Sequence, residues 1–99
     1  MLYSFDWDIA KEASNLQKHK VSFRQATSVF QDPRQLSIYD SEHSQDGDRW
    51  ITLGIDSNGI VRVVVHTFEQ INDKLCHIRI ISARKATRKE ILQYQEGNE

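Results

Sequence analysis

The apolar positions near the N-terminus change from an extended spacing to a helical one. Residues 2–5 are apolar and aromatic, which favours a first strand. Ile9, Ala13 and Leu16 then recur four and three residues apart, as they would on the inner face of a helix. We therefore predict a strand over residues 2–5 and a helix over residues 8–18.

Capping residues indicate where the first two helices begin. Asp6 or Asp8 is suited to cap the first helix. Ser22, with Gln25 three residues later, forms a capping-box pattern that predicts the start of a second helix. Asp32-Pro33 ends this helix, because the residue before a proline avoids the helical conformation.

The rest of the chain has the alternating, β-branched pattern of strands separated by turn residues. Asn58-Gly59 is a strong hairpin signal, and the polar segment 41–48 is typical of a loop. The predicted elements are strands over residues 35–39, 50–55, 60–68 and 75–82, and a last helix over residues 85–95. Together these strands form a four-stranded antiparallel meander.

The predicted fold class is α+β, with two N-terminal helices packed on one face of the antiparallel meander and a C-terminal helix closing the chain. The 99 residues form a single domain over residues 1–99. A chain of this length buries roughly 65% of the surface that it exposes when unfolded. The residues expected to be mostly buried are Trp7, Leu16, Phe23, Phe30, Val63, Val65, Ile78 and Ile80.

Side-chain alternation predicts which apolar residues share a face of the sheet. Val63 and Val65 are the apolar set of the long strand, and we expect them on the same face as Ile78 and Ile80. The tightest antiparallel pairing that achieves this places Val63 opposite Ile80 and Val65 opposite Ile78.

The same registers predict a cationic reverse face. They place His66 opposite His77, and a four-residue loop over residues 56–59 places Arg49 beside His66. The face would carry Arg49, Arg62, His66, His77 and Arg79. A slip of one residue would scatter this set, so the prediction depends on register.

Charge is distributed unevenly although the net charge is only −1. Residues 1–48 carry five Lys and Arg against eight Asp and Glu, whereas residues 49–99 carry eight against six. This is weak support for an anionic partner, because dedicated nucleic-acid binders are usually clearly basic. The lone Cys76 excludes an intramolecular disulfide, and no long apolar run indicates a membrane span or signal peptide, so we expect a cytoplasmic protein.

Residues 77–90 run from an apolar strand pattern into a basic helix pattern. They contain no acid before Glu90, and their cations are Arg79, Arg84, Lys85, Arg88 and Lys89. Cations at the end of a strand beside a helix start are suited to hold a phosphate. The alternative is a solvated amphipathic helix whose charges confer solubility.

Arginine and histidine together suit the cleavage of RNA by its own 2′-hydroxyl. This reaction needs a base near the 2′-oxygen, cations around the phosphorane and an acid at the 5′-oxygen. It needs no metal or cofactor, and the scattered histidines and single cysteine predict no metal site. The alternative for each histidine is a surface imidazole or one whose hydrogen bonds are satisfied.

Four stretches of the chain resemble the BrnT family of type II toxins, which is RelE-like. The resembling residues are Phe5-Asp6-Trp7-Asp8, Lys11, Asn15, Lys18-His19, Val21-Ser22-Phe23, Ala26, Val29-Phe30 and Asp32-Pro33, then Arg49 to Gly54 and Val63 to Thr67, and finally Arg79 to Thr87. Two features depart from the family pattern. The loop over residues 69–74 is longer, and Lys20 stands where glycine is common, so Lys20 must adopt a left-handed conformation or end the helix differently.

The resemblance implies a RelE-like fold, an endoribonuclease that cleaves cellular RNA and inhibits translation and growth, and a ribbon-helix-helix antitoxin of the BrnA type. DNA would be contacted only through this antitoxin, which represses the shared operon, and no membrane is involved. The predicted catalytic residues are Arg79, Arg84 and Arg49 as phosphate and transition-state cations and His66 for proton transfer, and the predicted RNA- or phosphate-binding residues are Ser82, Lys85, Arg88, Arg62, His19 and His77.

Two other function classes fit the same residues. A non-catalytic module would hold an antitoxin or RNA through the same basic edge, and a structural domain would contact no nucleic acid. The gathering of Arg and His on one predicted face favours the enzyme.

Overall fold

The computed structural model describes residues 2–44 and 47–97, and each predicted helix and strand is present within them. The helices are α1 (Ile9–His19), α2 (Phe23–Thr27), which continues as a 3-10 helix (Ser28–Gln31), and α3 (Arg88–Glu96). The strands are β1 (Leu2–Trp7), β2 (Leu36–Tyr39), β3 (Arg49–Ile55), β4 (Val61–Thr67), β5 (Glu69–Gln70) and β6 (Leu75–Lys85). None of the described helices is long and apolar enough to cross a membrane.

Side-chain caps fix the helix starts. Asp8 accepts a hydrogen bond from the Lys11 backbone N–H at 3.1 Å, and Ser22 accepts one from the Gln25 N–H at 3.0 Å. Each bond satisfies one of the free donors in the first turn of a helix. Lys20 ends α1 in the left-handed conformation, with φ 62° and ψ 25°, which is the first of the two options that the sequence left open.

The sheet is mixed, with strand order β1, β6, β4, β3, β2 and with β5 pairing β6 beyond the end of β4. Strands β2, β3, β4 and β6 form the predicted antiparallel meander. Strand β1 pairs with β6 in parallel, which the meander alone did not predict. The α+β fold class is confirmed.

One face of the sheet is covered by α1, α2 and the 3-10 helix, and we call it the helical face. Its core contains Val64, Ile78, Ile80 and Ala83 from the sheet and Val21, Phe23, Ala26, Val29 and Phe30 from the segment after α1. Phe5 and Trp7 of β1 pack against this core from the sheet edge. Phe23, Phe30, Ile78 and Ile80 are therefore buried as predicted.

Helix α3 packs on the opposite face, over one end of the strands. Leu53 and Val63 are buried there against Ala86 and Tyr94. The Tyr94 hydroxyl donates to Asp32 Oδ2 at 2.6 Å, which ties the end of α3 to the turn before β2. The opposite face is therefore divided into a half under α3 and a half beyond it.

The predicted inner stripe of α1 is wrong. Ile9 and Leu16 are 80% and 46% exposed, whereas Asn15 is buried. Asn15 Nδ2 donates to the carbonyl oxygens of Ala83 and Val21, and its Oδ1 accepts the Ala83 N–H. A polar residue whose hydrogen bonds are satisfied can occupy the interface, and apolar periodicity therefore misplaced the helix face.

The predicted register of β3 and β4 is wrong by one residue. Arg49 pairs with Thr67, and Trp50 pairs with His66. Five residues, and not the predicted four, separate β3 from β4. Within this connection the Asp56 N–H donates to the Ile60 carbonyl, and Asp56 Oδ1 accepts the Ile60 N–H. Arg49 therefore keeps its predicted face, away from the helices, but no longer shares it with His66 and Arg62.

The predicted register of β4 and β6 is also wrong. Val65 pairs with Ser82, and an irregularity between Val65 and His66 then places His66 opposite Ile80. Val63 and Val65 therefore lie on the opposite face, whereas Ile78 and Ile80 lie on the helical face. A bulge of this kind reverses the facing of all residues beyond it, and alternation cannot reveal it.

The predicted core is correct for most residues despite these registers. Val63 is buried, although under α3 and not under α1 and α2, while Trp7 and Val65 are only half-buried and Leu16 is exposed. Strand β6 extends three residues further than predicted, so α3 begins at Arg88. The predicted loop 41–48 includes Gln45 and Asp46, which lie outside the described residues.

Candidate active site

A polar row crosses four strands on the half of the opposite face beyond α3. Arg49 of β3 pairs with Thr67 of β4, and Asp6 of β1 pairs with Arg79 of β6. The Arg79 N–H donates to Thr67 Oγ1 at 3.3 Å, which joins the two pairs. We call this row, with Ser4 and His77 beside it, the open strip.

Arg79 is the most exposed cation of the row. Its side chain is 46% exposed, and its Nη1 donates to Asp6 Oδ2 at 2.9 Å. An exposed pair of this kind contributes little to stability. The guanidinium therefore keeps donors available for a phosphate at small cost.

His77 lies next to Arg79 on the same side of β6. Its side chain is 30% exposed. Its Nε2 lies 3.2 Å from Asp6 Oδ1, and its Nδ1 lies 3.3 Å from Ser4 Oγ. Asp6 thus contacts both His77 and Arg79, one with each carboxylate oxygen.

Arg84 is on the same face but is bound to Glu90. Its Nη1 and Nη2 donate to the two carboxylate oxygens of Glu90, each at 2.8 Å. This fork, together with the Thr87 hydrogen bonds, lowers the pKa of Glu90 to about 2. Glu90 also forms a capping box with Thr87, so Arg84 fixes the start of α3.

His66 lies on the helical face, not with Arg79 as the predicted register required. It is only 3% exposed, and its ring meets Phe30 edge-on at 4.9 Å between centroids. Thr52 Oγ1 lies 2.6 Å from its Nε2, and its Nδ1 lies 2.8 Å from the Thr67 carbonyl oxygen. Burial lowers the pKa of His66, so the imidazole is neutral near pH 7.

Arg62 is buried and separate from the open strip. Its Nε donates to Asp56 Oδ2 at 2.8 Å, and both side chains are almost fully buried. Truncating one partner of such a pair would leave an uncompensated buried charge. The predicted single face of Arg49, Arg62, His66, His77 and Arg79 is therefore wrong, because Arg62 and His66 lie away from the other three.

The remaining predicted residues lie at three places. Ser82 is half-buried on the opposite face, opposite Val65. Lys85 and Arg88 are exposed where β6 meets α3. His19 is the last residue of α1, on the helical side of the sheet.

Ser4, Asp6 and Thr67 of the open strip were not among the predicted site residues. Because the predicted first strand ends at residue 5, the sequence indicates Asp6 only as a helix cap and not as a residue of the sheet. Ser4 and Asp6 alternate along β1 as same-face residues do, and that alternation was the available signal. The parallel pairing of β1 with β6 could not be derived from it.

No group of three His, Cys, Asp or Glu side chains within residues 2–44 and 47–97 is placed to hold a metal ion. A cavity of about 190 Å³ lies on the helical side, lined by Ser37, Trp50, His66 and Phe68. His66 forms part of its wall, while Trp50 also meets Tyr39 edge-on at 5.3 Å between centroids.

A solved structure shares this fold. The 1.1 Å crystal structure of the Brucella abortus ribonuclease toxin BrnT superposes with a TM-score of 0.60 at 18% sequence identity, covering 89% of this chain and 100% of that chain. Among curated proteins, no sequence matches this chain. The family model described as the ribonuclease toxin BrnT of type II toxin-antitoxin systems matches residues 7–90. The chain therefore belongs to the BrnT family of type II ribonuclease toxins.

Proposed function

We propose that this protein is the toxin of a type II toxin-antitoxin pair and that it cleaves cellular RNA on the open strip. The observation that carries the proposal is the row of Arg49, Thr67 and Arg79 across neighbouring strands, next to a histidine on the same face. Membership of a ribonuclease toxin family supplies the substrate class. Single-stranded RNA lies readily across a sheet face, as it does in other RNA-binding modules.

The proposed chemistry is attack of the 2′-hydroxyl on the adjacent phosphorus, without a metal ion. Arg79 and Arg49 bind the phosphate and stabilise the charge that develops in the transition state. Ser82, one row further along the face, contacts the RNA backbone. Lys85 and Arg88 extend the cationic surface toward α3 and bind flanking phosphates.

Three residues named from the sequence receive other roles in this proposal. His66 is assigned to the core, because a proton-transfer group must reach its substrate and His66 is 3% exposed with both ring nitrogens hydrogen-bonded. Arg62 is assigned to its buried pair with Asp56. Arg84 is assigned to the start of α3, which it holds through Glu90.

The proposed partner is a ribbon-helix-helix antitoxin of the BrnA type, which also mediates any contact with DNA. Its acidic or apolar segment would cover the cations at the junction of β6 and α3, because complementary charge steers binding and fixes register. Cells that produce the toxin without this partner would stop translation and growth. The cytoplasm, where cellular RNA is translated, is the proposed place of action.

The direct test is cleavage of total cellular RNA by the purified protein in the presence and absence of EDTA. The proposal predicts fragments with 5′-hydroxyl and 2′,3′-cyclic phosphate ends, formed equally with and without EDTA. The control is the Arg49→Ala and Arg79→Ala double variant, which we expect to fold and to leave RNA intact.

Three results would contradict the proposal. Abolition of cleavage by EDTA, or 5′-phosphate ends, would overturn the metal-free mechanism. Absence of cleavage together with binding of antitoxin or RNA would favour the non-catalytic module. Mapping of RNA 5′ ends after induction in cells, with and without the partner, shows whether the same positions are cut.

A further inference from the structure

Asp6, His77 and Ser4 form a hydrogen-bonded line on the open strip. Ser4 and His77 are register partners on β1 and β6, and Asp6 follows two residues after Ser4 on the same face. The line runs from Ser4 Oγ to His77 Nδ1 at 3.3 Å and from His77 Nε2 to Asp6 Oδ1 at 3.2 Å. The family match begins at residue 7, so Ser4 and Asp6 lie outside it.

The network assigns the imidazole tautomer. A carboxylate accepts only, so Nε2 must carry a hydrogen to bond Asp6. Nδ1 of the neutral ring then has a lone pair directed at the Ser4 hydroxyl, which is the donor. The Nδ1 lone pair therefore already accepts from a hydroxyl group, that of Ser4.

We propose that His77, oriented by Asp6, is the general base of the RNA cleavage proposed above, and that Ser4 Oγ marks the position which the substrate 2′-hydroxyl occupies. The inference rests on the proposed function. His77 would be a catalytic residue because it touches the reacting oxygen. Asp6 would be a positioning residue that acts through the imidazole.

The step balances without an additional reactant. The 2′-O–H bond breaks and its proton passes to His77 Nδ1, while the 2′-oxygen forms a bond to phosphorus. The bond from phosphorus to the 5′-oxygen breaks, and the 5′-oxygen takes a proton from water. A 2′,3′-cyclic phosphate and a 5′-hydroxyl leave, and the imidazolium returns its proton to solvent.

Charged groups on each neighbouring strand face the imidazole. Asp6 approaches it from β1, Arg79 lies two residues along β6, and Glu69 of β5 is its register partner on the other side. Asp6 and Glu69 favour the imidazolium that forms as the base takes the proton, whereas Arg79 opposes it and attracts the phosphate. The proposed base and the phosphate-binding arginine are thus adjacent, and Asp6 contacts both of them.

Asp6 should affect binding and chemistry in opposite directions. Its Oδ2 accepts from Arg79 Nη1 at 2.9 Å, so it competes with a phosphate for that guanidinium. Replacing Asp6 by asparagine removes this competing charge and also the charge that supports the imidazolium. The expected result is tighter RNA binding with slower cleavage, a combination that simple loss of structure does not produce.

The test is the pH dependence of single-turnover cleavage of an RNA oligonucleotide that spans one mapped cleavage position. The wild-type rate should rise with pH and then level off, because only a neutral imidazole can accept the proton. His77→Gln should lower the rate by about 10²-fold to 10⁴-fold and flatten this rise. Added imidazole should restore part of the rate in His77→Ala.

The matched control is His43→Gln, because His43 is an exposed histidine whose Nδ1 lies 3.0 Å from Asp40 and which makes no hydrogen bond to Asp6, His77 or Arg79. This variant should keep the full rate and profile.

The outcomes separate this inference from the proposed function. An active wild type with an unchanged pH profile in His77→Gln would overturn the role of His77 and leave RNA cleavage standing. Equal loss of binding and of rate in Asp6→Asn would overturn the positioning role. A wild-type protein that cleaves no RNA would overturn both proposals.

Discussion

His66 and His77 lie on paired strands of one sheet, yet the two faces give their imidazoles opposite environments. His66 is enclosed between Thr52, Phe30 and the sheet, and burial lowers its pKa. His77 is 30% exposed beside a carboxylate and an arginine. The face of the sheet, and not the residue type, therefore decides which histidine has access to a substrate.

The two arginine pairs show the same contrast. Arg62 and Asp56 are almost fully buried, whereas Arg79 and Asp6 are about half exposed. A buried pair must remain intact, since breaking it leaves an uncompensated charge. An exposed pair can exchange its carboxylate for a phosphate, because little stability is lost.

Apart from His77, the largest expected effect is at Arg79. Arg79→Ala should lower the single-turnover cleavage rate by about 10²-fold to 10³-fold, as expected for the loss of one strong electrostatic contact in the transition state. Arg79→Lys should recover only part of the rate, because lysine keeps the charge without the fork. Thermal melts should show both variants folded, since the side chain is exposed. Full activity in Arg79→Ala would contradict the assignment of the open strip.

The His66→Ala variant tests whether the helical face takes part in catalysis. His66→Ala should destabilise the fold by about 1–3 kcal/mol, because a buried ring is removed and Thr52 Oγ1 keeps only Ser37 of its two side-chain partners. The cleavage rate of the folded fraction should stay nearly unchanged. Denaturant unfolding gives the first quantity and single-turnover kinetics the second. A rate loss comparable to that of Arg79→Ala in a stably folded protein would restore His66 as the proton-transfer group.

The antitoxin is expected to bind at the junction of β6 and α3 and not on the outer side of α1. Lys85→Glu combined with Arg88→Glu should weaken binding of the antitoxin by about tenfold, and more at low salt, because rim charges act through a screened field. Lys11→Glu combined with Lys18→Glu changes the charge equally on the helical side and should leave affinity unchanged. Equal effects of the two double variants would indicate that affinity depends on the total charge of the protein and not on the junction of β6 and α3.

The smallest expected effect is at the start of α3. The pKa of Glu90 is about 2, below its usual value of 4.5, so its carboxylate adds stability that is complete above pH 4.5 and is lost as the pH falls toward 2. Glu90→Gln keeps the cap but removes the charge, and it should cost about 1 kcal/mol at pH 7 after solvent screening. The difference from wild type, measured by urea unfolding, should vanish near pH 2. A constant difference at all pH values would assign the effect to packing.

The sequence was sufficient for features whose cause is local. Ser22 with Gln25, and Asn58-Gly59, predicted a helix start and a hairpin from residues that act on their own neighbours. The resemblance to BrnT proteins is likewise carried by short motifs, and the family match confirms it.

The site could not be predicted as reliably, because it depends on single residues that change register. One additional turn residue before Val61 and one irregularity after Val65 moved His66 to the core face. The parallel pairing of β1, which brings Asp6 to Arg79, joins residues 73 positions apart. No local pattern specifies such a pairing.

The measurement that tests the open strip most directly is the chemical-shift map of the protein with a single-stranded RNA whose cleavage position carries a 2′-deoxy nucleotide. This RNA binds but lacks the attacking hydroxyl, so the complex persists. We expect the largest shifts at the backbone amides of Arg49, Thr67, His77 and Arg79, with little change at Trp50 and Phe68 around the cavity near His66. The largest shifts at Trp50 and Phe68, with an undisturbed Arg79, would contradict this expectation and place the RNA on the helical face.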